Sequence, residues 1–347
     1  MNFRFDRYMQ NLDISDNVIE SLDKTSLRDL GVISLVKLNA SRNYISDIDE
    51  RAFLGQRKLQ TVDLSSNSLV IIEPKTFMRN PSLEILSLSS NQDLRLPEEG
   101  PFLASRYLRV LKLSDCNLDH LSPEAFQELP NLQELYISHN QIETLNSLQG
   151  VGRLRLLDIS HNYLTELQSE FFTALPELIR LNLSYNSFSI LDTTVMPQLS
   201  KVSSSIDLYG NPWVCDCLMF NTIYSWCRDN SVYLDLVCSS PPKFKDTSWT
   251  IYDKFDCFDG DYIADISEEV EGIVNNNEKF LPNRNYEEYA YNENFEKNEN
   301  SLPTGFQEKD TTLNYKNDDV SFAVVAEVPS EYLVLFLWFF FKFLIFS

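Results

Sequence analysis

The chain has 347 residues, and its 29 basic and 51 acidic side chains leave a formal net charge of −22. Phosphate binding needs clustered Lys and Arg, so this balance argues against a nucleic-acid partner. The charge is also uneven: residues 259–320 hold 16 acidic and 5 basic residues against 33 and 23 in residues 1–258, which marks a boundary near residue 259.

The chain opens Met1-Asn2-Phe3-Arg4-Phe5-Asp6-Arg7, with charges and no apolar run, so the sequence shows no secretory leader there. Met9 and Leu12 already belong to a repeat. The pattern Leu-x-x-Leu-x-Leu-x-x-Asn-x-Leu, with other apolar residues allowed at the Leu positions, recurs nine times, with its Asn position at Asn17, Asn43, Asn67, Asn91, Cys116, Asn140, Asn162, Asn186 and Asn211. The intervals are 26, 24, 24, 25, 24, 22, 24 and 25 residues. A period held this long is the signature of a solenoid, in which each unit buries its apolar edge only against its neighbours. Residue 1 then falls inside a stack whose apolar end is uncovered, and the expectation is an N-terminally truncated sequence missing its leader and first units.

In a short strand alternate side chains point to opposite faces, so Leu135 and Ile137 are expected in the core and Tyr136 and Ser138 outside. The following Asn closes the turn, because a buried amide can satisfy backbone groups that the bend leaves unpaired. Stacked units would align these Asn residues as a ladder.

On these columns the chain resembles the leucine-rich-repeat family. The resemblance implies an α/β solenoid, a horseshoe with short parallel strands on its concave face, where relatives bind protein partners. It also implies a convex-side core role for Phe53, Phe77, Phe126 and Phe172, and it tolerates Cys116 at the Asn position because a thiol is small, easily buried and a weak donor. With strands ~4.8 Å apart, Cys116 stands roughly 20 Å from the other cysteines, beyond the ~7 Å a disulfide allows.

Those other five cysteines, Cys215, Cys217, Cys227, Cys238 and Cys257, crowd one window, which suggests disulfides and an oxidising compartment. The run Asn211-Pro212-Trp213-Val214-Cys215-Asp216-Cys217, followed by Trp226, Cys238 and Cys257, resembles the cysteine-rich C-terminal cap of extracellular members of the family, such as connectin, chaoptin and Toll ectodomains. The resemblance implies the pairs Cys215 with Cys238 and Cys217 with Cys257. A zinc site fits less well, since Cys-x-Cys spacing without a nearby His does not match the usual ligand sets. Cys227 is left over, as a buried thiol in a helix or an intermolecular bridge.

The domains read as repeats over 1–211, the cap over 212–258, an acidic stalk over 259–320 and an apolar terminal segment over 321–347. The stalk has too few aliphatic residues to bury a core. Its Tyr286, Tyr289 and Tyr291 lie beside Glu287, Glu288 and Glu293, a setting that suits tyrosine sulfation. As a helix, the fifteen residues 332–346 would reach ~22 Å, short of the ~30 Å hydrocarbon core, and Lys342 interrupts them. With no basic segment following, and with small residues such as Ser321 and Ala323 upstream, a lipid-anchor signal is preferred to a membrane-spanning helix.

Along the strands, outward positions change from Gln60, Thr61, Ser65 and Ser66 in early units to Tyr136, His139, Arg155, His161, Arg180, Tyr185 and Tyr209 in later ones. Tyr and Arg are enriched at binding hot spots, so the later set is the candidate partner-binding patch. His139 and His161 share a column, which suits a metal or pH-sensing pair less well than ordinary turn residues. Asn39-Ala40-Ser41 and Asn182-Leu183-Ser184 are glycan acceptors on the same face, where glycans would obstruct parts of it, including the patch near Arg180.

Three His residues without catalytic spacing give no sign of an enzyme, and no cofactor is implied. The expectation is an extracellular, C-terminally tethered protein that binds a protein ligand or cell-surface receptor in recognition or adhesion. The alternatives are a soluble secreted immune or regulatory protein and a receptor ectodomain that signals through a co-receptor.

Overall fold

The computed structural model describes residues 8–29, 31–145, 148–202, 206–250 and 332–334. Its strands are β1 Asn11–Asp13, β2 Ser21–Leu22, β3 Lys37–Asn39, β4 Asp47–Ile48, β5 Thr61–Asp63, β6 Ile85–Ser87, β7 Val110–Lys112, β8 Glu134–Tyr136, β9 Leu156–Asp158, β10 Arg180–Asn182, β11 Ile206–Asp207, β12 Trp213–Val214, β13 Cys238–Ser240 and β14 Tyr332–Val334. Each of the nine repeats contributes one strand to a single sheet, ordered β11-β10-β9-β8-β7-β6-β5-β3-β1, with β14 on the outer edge of β1. All of these pairings are parallel. A parallel neighbour requires the chain to return to the same end, and the residues left in each ~24-residue unit make that return.

The register places Leu12, Leu38, Val62, Leu86, Leu111, Leu135, Leu157 and Leu181 in one column. These residues head one continuous buried apolar cluster that runs from Leu12 to the cap. The returning segments close it with aromatic rings: Phe53, Phe77, Phe126 and Phe172 are all buried, and the Phe53 and Phe77 rings stack at 4.8 Å. Each unit therefore leans on the next, the nearest-neighbour arrangement of a solenoid.

At the N-terminal end the structure differs from the sequence expectation of an uncovered edge. Leu12, Ile14, Ile19 and Leu22 are buried, and β14 pairs with β1 through Asn11 with Tyr332, Leu12 with Leu333 and Asp13 with Val334. Within the expected terminal segment only these three residues are described. The stalk and the rest of that segment lie outside the described residues. Among the described residues no helix is long and apolar enough to cross a membrane.

At the other end Trp213 is buried against Phe188, ring centroids 6.2 Å apart, and its indole N–H donates to the Leu208 carbonyl at 3.1 Å. Cys215 and Cys238 form a disulfide beside the β12–β13 pairing. Cys217 is also disulfide-bonded, whereas its expected partner Cys257 lies outside the described residues. Cys227 is a free thiol buried in the helix Ser225–Asp229, and burial pushes its pKa up to about 11. Trp249 packs at the same end, donating to the Leu234 carbonyl at 2.9 Å and meeting the Tyr224 ring edge-on.

Candidate functional site: the strand face

The turn after each strand is built by the Asn ladder. The Asn140 amide donates to the carbonyls of Ile137 and Ser138 in its own unit and of Leu113 in the preceding one. Its oxygen accepts from the N–H groups of Cys116 and Leu118. Asn43, Asn67, Asn91, Asn162, Asn186 and Asn211 likewise bridge to the preceding unit, while Asn17, in the first unit, donates to the Ile14 and Ser15 carbonyls of its own unit. Cys116 is buried with its thiol 3.3 Å from the Leu88 carbonyl and 3.4 Å from that of Ser114. It replaces the donor half of an Asn and supplies no acceptor oxygen.

The central outward column is Asp13, Asn39, Asp63, Ser87, Lys112, Tyr136, Asp158, Asn182 and Asp207. Five of its members share one device. The side-chain oxygen of Asp13, Asn39, Asp63, Asp158 or Asn182 accepts from both the backbone N–H and the hydroxyl of the serine two residues on, the hydroxyl at 2.6–2.7 Å. Such side-chain turns stabilise the bend locally. The two glycan-acceptor sequences are thus the amide versions of a motif that other units build with a carboxylate.

Ser138 corrects the sequence expectation. It is buried, and its hydroxyl donates to Ser114 Oγ at 3.0 Å. The strand ends at Tyr136, so the alternation of a strand no longer applies two residues later. Thr61 is buried too, and Ser65 is half-buried on Asp63.

A second column precedes the ladder. Asp16, Arg42, Ser66, Ser90, Asp115, His139, His161 and Tyr185 all have left-handed backbones, φ between 51° and 58°, and Gly210 continues the column at 72°. This conformation is costly for residues with a side chain, and here the ladder imposes it. Repeating the same backbone in adjacent units makes the side chains parallel. The rings of His139 and His161 stack at 4.1 Å, those of His161 and Tyr185 stack at 4.4 Å, and Tyr209 meets Tyr185 edge-on at 5.6 Å. A Cβ on Gly210 would fall 2.6 Å from Tyr185 Cδ1, so the glycine also makes room for that ring. Burial holds the His161 pKa below the ordinary imidazole value, and the neighbouring His139 adds to this against the opposing pull of Asp158.

Tyr136 lies apart from this aromatic line. Its hydroxyl donates to Glu134 Oε2 at 2.9 Å, and Lys112 Nζ stands 5.7 Å from its ring centre. Burial, followed by the Glu134 hydrogen bond, keeps the phenol protonated well above its usual range. Arg155 and Arg180 are exposed at the starts of adjacent strands, where the Arg180 N–H donates to the Arg155 carbonyl at 3.0 Å. The fold therefore sorts the sequence candidates into an aromatic line, His139-His161-Tyr185-Tyr209, two arginines at strand starts, Arg155 and Arg180, and Tyr136 at the end of β8. Arg109, Lys112, Glu134 and Gly210 join them, and applying the repeat register to those positions would have found them. Among the described residues no three His, Cys, Asp or Glu are grouped to hold a metal ion.

A parallel sheet built one strand per unit, closed by an amide ladder and sealed by a disulfide-bearing end, defines a protein of the repeat-solenoid class. The chain belongs to the leucine-rich-repeat proteins, and the leucine rich repeat family model matches residues 33–92, 106–164 and 152–212. A phospholipase A2 inhibitor of Gloydius brevicaudus siniticus is 41% identical over 59 residues, 15% of this chain and 18% of the inhibitor. The chain thus spans less than a fifth of that curated relative. Two solved structures share the fold. Human 5T4 (Wnt-activated inhibitory factor 1, trophoblast glycoprotein) has a TM-score of 0.52 and 23% identity over 73% of this chain and 89% of its own. A chain of the Drosophila Toll–Spatzle complex has a TM-score of 0.50 and 23% identity over 60% of this chain and 28% of its own.

Proposed function

We propose that this protein works outside the cell as a recognition or adhesion molecule that binds a protein partner on its strand face and is tethered by its C-terminus. The observation that carries the binding reading is the line of stacked aromatic side chains on the later units, set parallel by a repeated left-handed backbone, with exposed arginines at the starts of neighbouring strands. A disulfide at the end of the solenoid supports the extracellular setting. Relatives whose names give protein partners, a phospholipase A2 inhibitor and the Toll–Spatzle complex, support protein binding.

A glycan wedge tests the face. Asp158→Asn completes an acceptor sequence with Ser160 in the middle of the later strands and leaves an oxygen to accept the serine bonds. Full chain made in secretory cells and labelled with a dye should bind intact cells saturably. The wedge should add one glycan by mass and abolish that binding, and enzymatic deglycosylation should restore it. Asn39 and Asn182 are the native acceptors in the same column, so Asn39→Asp with Asn182→Asp should remove two glycans without unfolding the protein. Undiminished cell binding by the glycosylated wedge variant would rule the strand face out.

The tether rests on the apolar sequence 332–346. Treating expressing cells with a phosphatidylinositol-specific phospholipase should release the protein into the medium. Complete retention would exclude the lipid anchor.

A further inference from the structure

We propose that the starts of strands β7 to β10 form a docking row for an acidic segment of the protein partner, a short stretch with carboxylates at alternate positions. This rests on the reading of the strand face as the partner site and adds the partner's chemistry.

The row is a charge reversal within an acidic chain. Between residues 96 and 200 there are thirteen acidic and six basic residues, and the six are Arg106, Arg109, Lys112, Arg153, Arg155 and Arg180. Every one of the six lies on a strand or within four residues before one. The backbone links three of them through Gln133, with Arg180 one residue beyond the position that Arg109 and Arg155 share. The Gln133 N–H donates to the Arg109 carbonyl, the Arg155 N–H to that of Gln133, and the Arg180 N–H to that of Arg155. At the position that Arg109 and Arg155 occupy, the first four units carry Gln10, Val36, Gln60 and Glu84, so the basic character begins at the fifth unit.

These guanidinium groups are exposed, and among the described residues no ion pair occupies Arg109, Arg155 or Arg180. Beside them Asn131 links Arg106 and Arg153, accepting from the Arg153 guanidinium while its own amide donates to the Arg106 carbonyl at 2.6 Å. The carboxylates on and beside these strands are Glu84, whose backbone carbonyl accepts the Arg109 N–H, Glu134, Asp158 and Glu177. Glu134 accepts the Tyr136 hydroxyl and Asp158 is bound by Ser160. Lys112 extends the positive area across the Tyr136 ring.

Span, rather than even spacing, suggests the ligand, since Arg155 stands roughly 10 Å from Arg109 and roughly 5 Å from Arg180. Adjacent strands lie ~4.8 Å apart, so Arg109 to Arg180, three strands on, spans roughly 14 Å. An extended peptide projects alternate side chains to one face every ~6.8 Å, so three carboxylates at alternate positions also cover roughly 14 Å. Each guanidinium offers a planar fork that matches a carboxylate. A long polyanion is disfavoured by comparison, because it would extend from this row over a surface whose net charge is strongly negative.

The test uses the full chain and a fluorescein-labelled hexaglutamate peptide, read by anisotropy at low and high ionic strength. Wild type should bind the peptide, ignore hexalysine and release the peptide as salt rises. Arg109→Gln with Arg155→Gln and Arg180→Gln should weaken binding about tenfold or more, while Lys24→Gln with Arg28→Gln and Arg95→Gln should leave it unchanged. All six are surface residues, and matching thermal melts will show that both variants fold. No binding by wild type, equal binding by the triple variant, or tighter Arg-dependent capture of single-stranded RNA of equal charge would each overturn the proposal. Cell binding separates the two readings. If the glycan wedge abolishes it and the triple variant does not, the acidic-segment inference falls alone; if neither abolishes it, both fall.

Discussion

Asn140→Ala is expected to destabilise the protein by about 3–5 kcal/mol, because it leaves the buried N–H groups of Cys116 and Leu118 without an acceptor at about 1–3 kcal/mol each. It also removes the amide donor shared by three carbonyls. The damage crosses a unit boundary, since Leu113, Cys116 and Leu118 belong to the preceding repeat. Asn140→Cys should fall between wild type and the alanine variant. Cys116 shows that a thiol at this position can point at the same kinds of carbonyl without supplying the acceptor. Urea unfolding of the full chain followed by circular dichroism gives the order, and an alanine variant within about 1 kcal/mol of wild type would contradict a structural role for the ladder.

The second large effect is at the Cys215–Cys238 disulfide. Cys215 and Cys238 are both buried and 23 residues apart, so closing that loop is worth about 3 kcal/mol in chain entropy. Cys215→Ala with Cys238→Ala should lower stability by about that amount, with a further loss from the unfilled sulfur sites. Because each unit contacts only its neighbours, the opening should be local. Limited proteolysis is expected to cut first between Trp213 and Ser240, while hydrogen exchange in β3 to β8 keeps its protection. Uniform loss of protection along the sheet would show that the solenoid unfolds as a single block instead.

The period and the ladder were legible because both are written at fixed short offsets, and a buried apolar column tolerates few side chains. Cys116 could be read as a ladder residue for the same reason. Ser138 could not, because strand alternation was carried two residues beyond a strand only three residues long. Arg109 was missed although the repeat register reaches it: Arg109, Gln133 and Arg155 each stand two residues before the buried strand leucine. His139 and His161 were visibly in one column, but their continuation into Tyr185 depends on left-handed backbones and on the missing Cβ of Gly210. The stalk tyrosines and Cys257 lie outside the described residues, so their readings rest on the sequence.

The serine-bound column has an evolutionary consequence. Asp13, Asp63 and Asp158 hold the same hydrogen bonds as Asn39 and Asn182, so exchanging one oxygen for nitrogen switches a sugar attachment point on or off with little penalty to folding. A lineage built on this scaffold can sheathe or bare its recognition surface one rung at a time, changing which partners reach it while the architecture stays put.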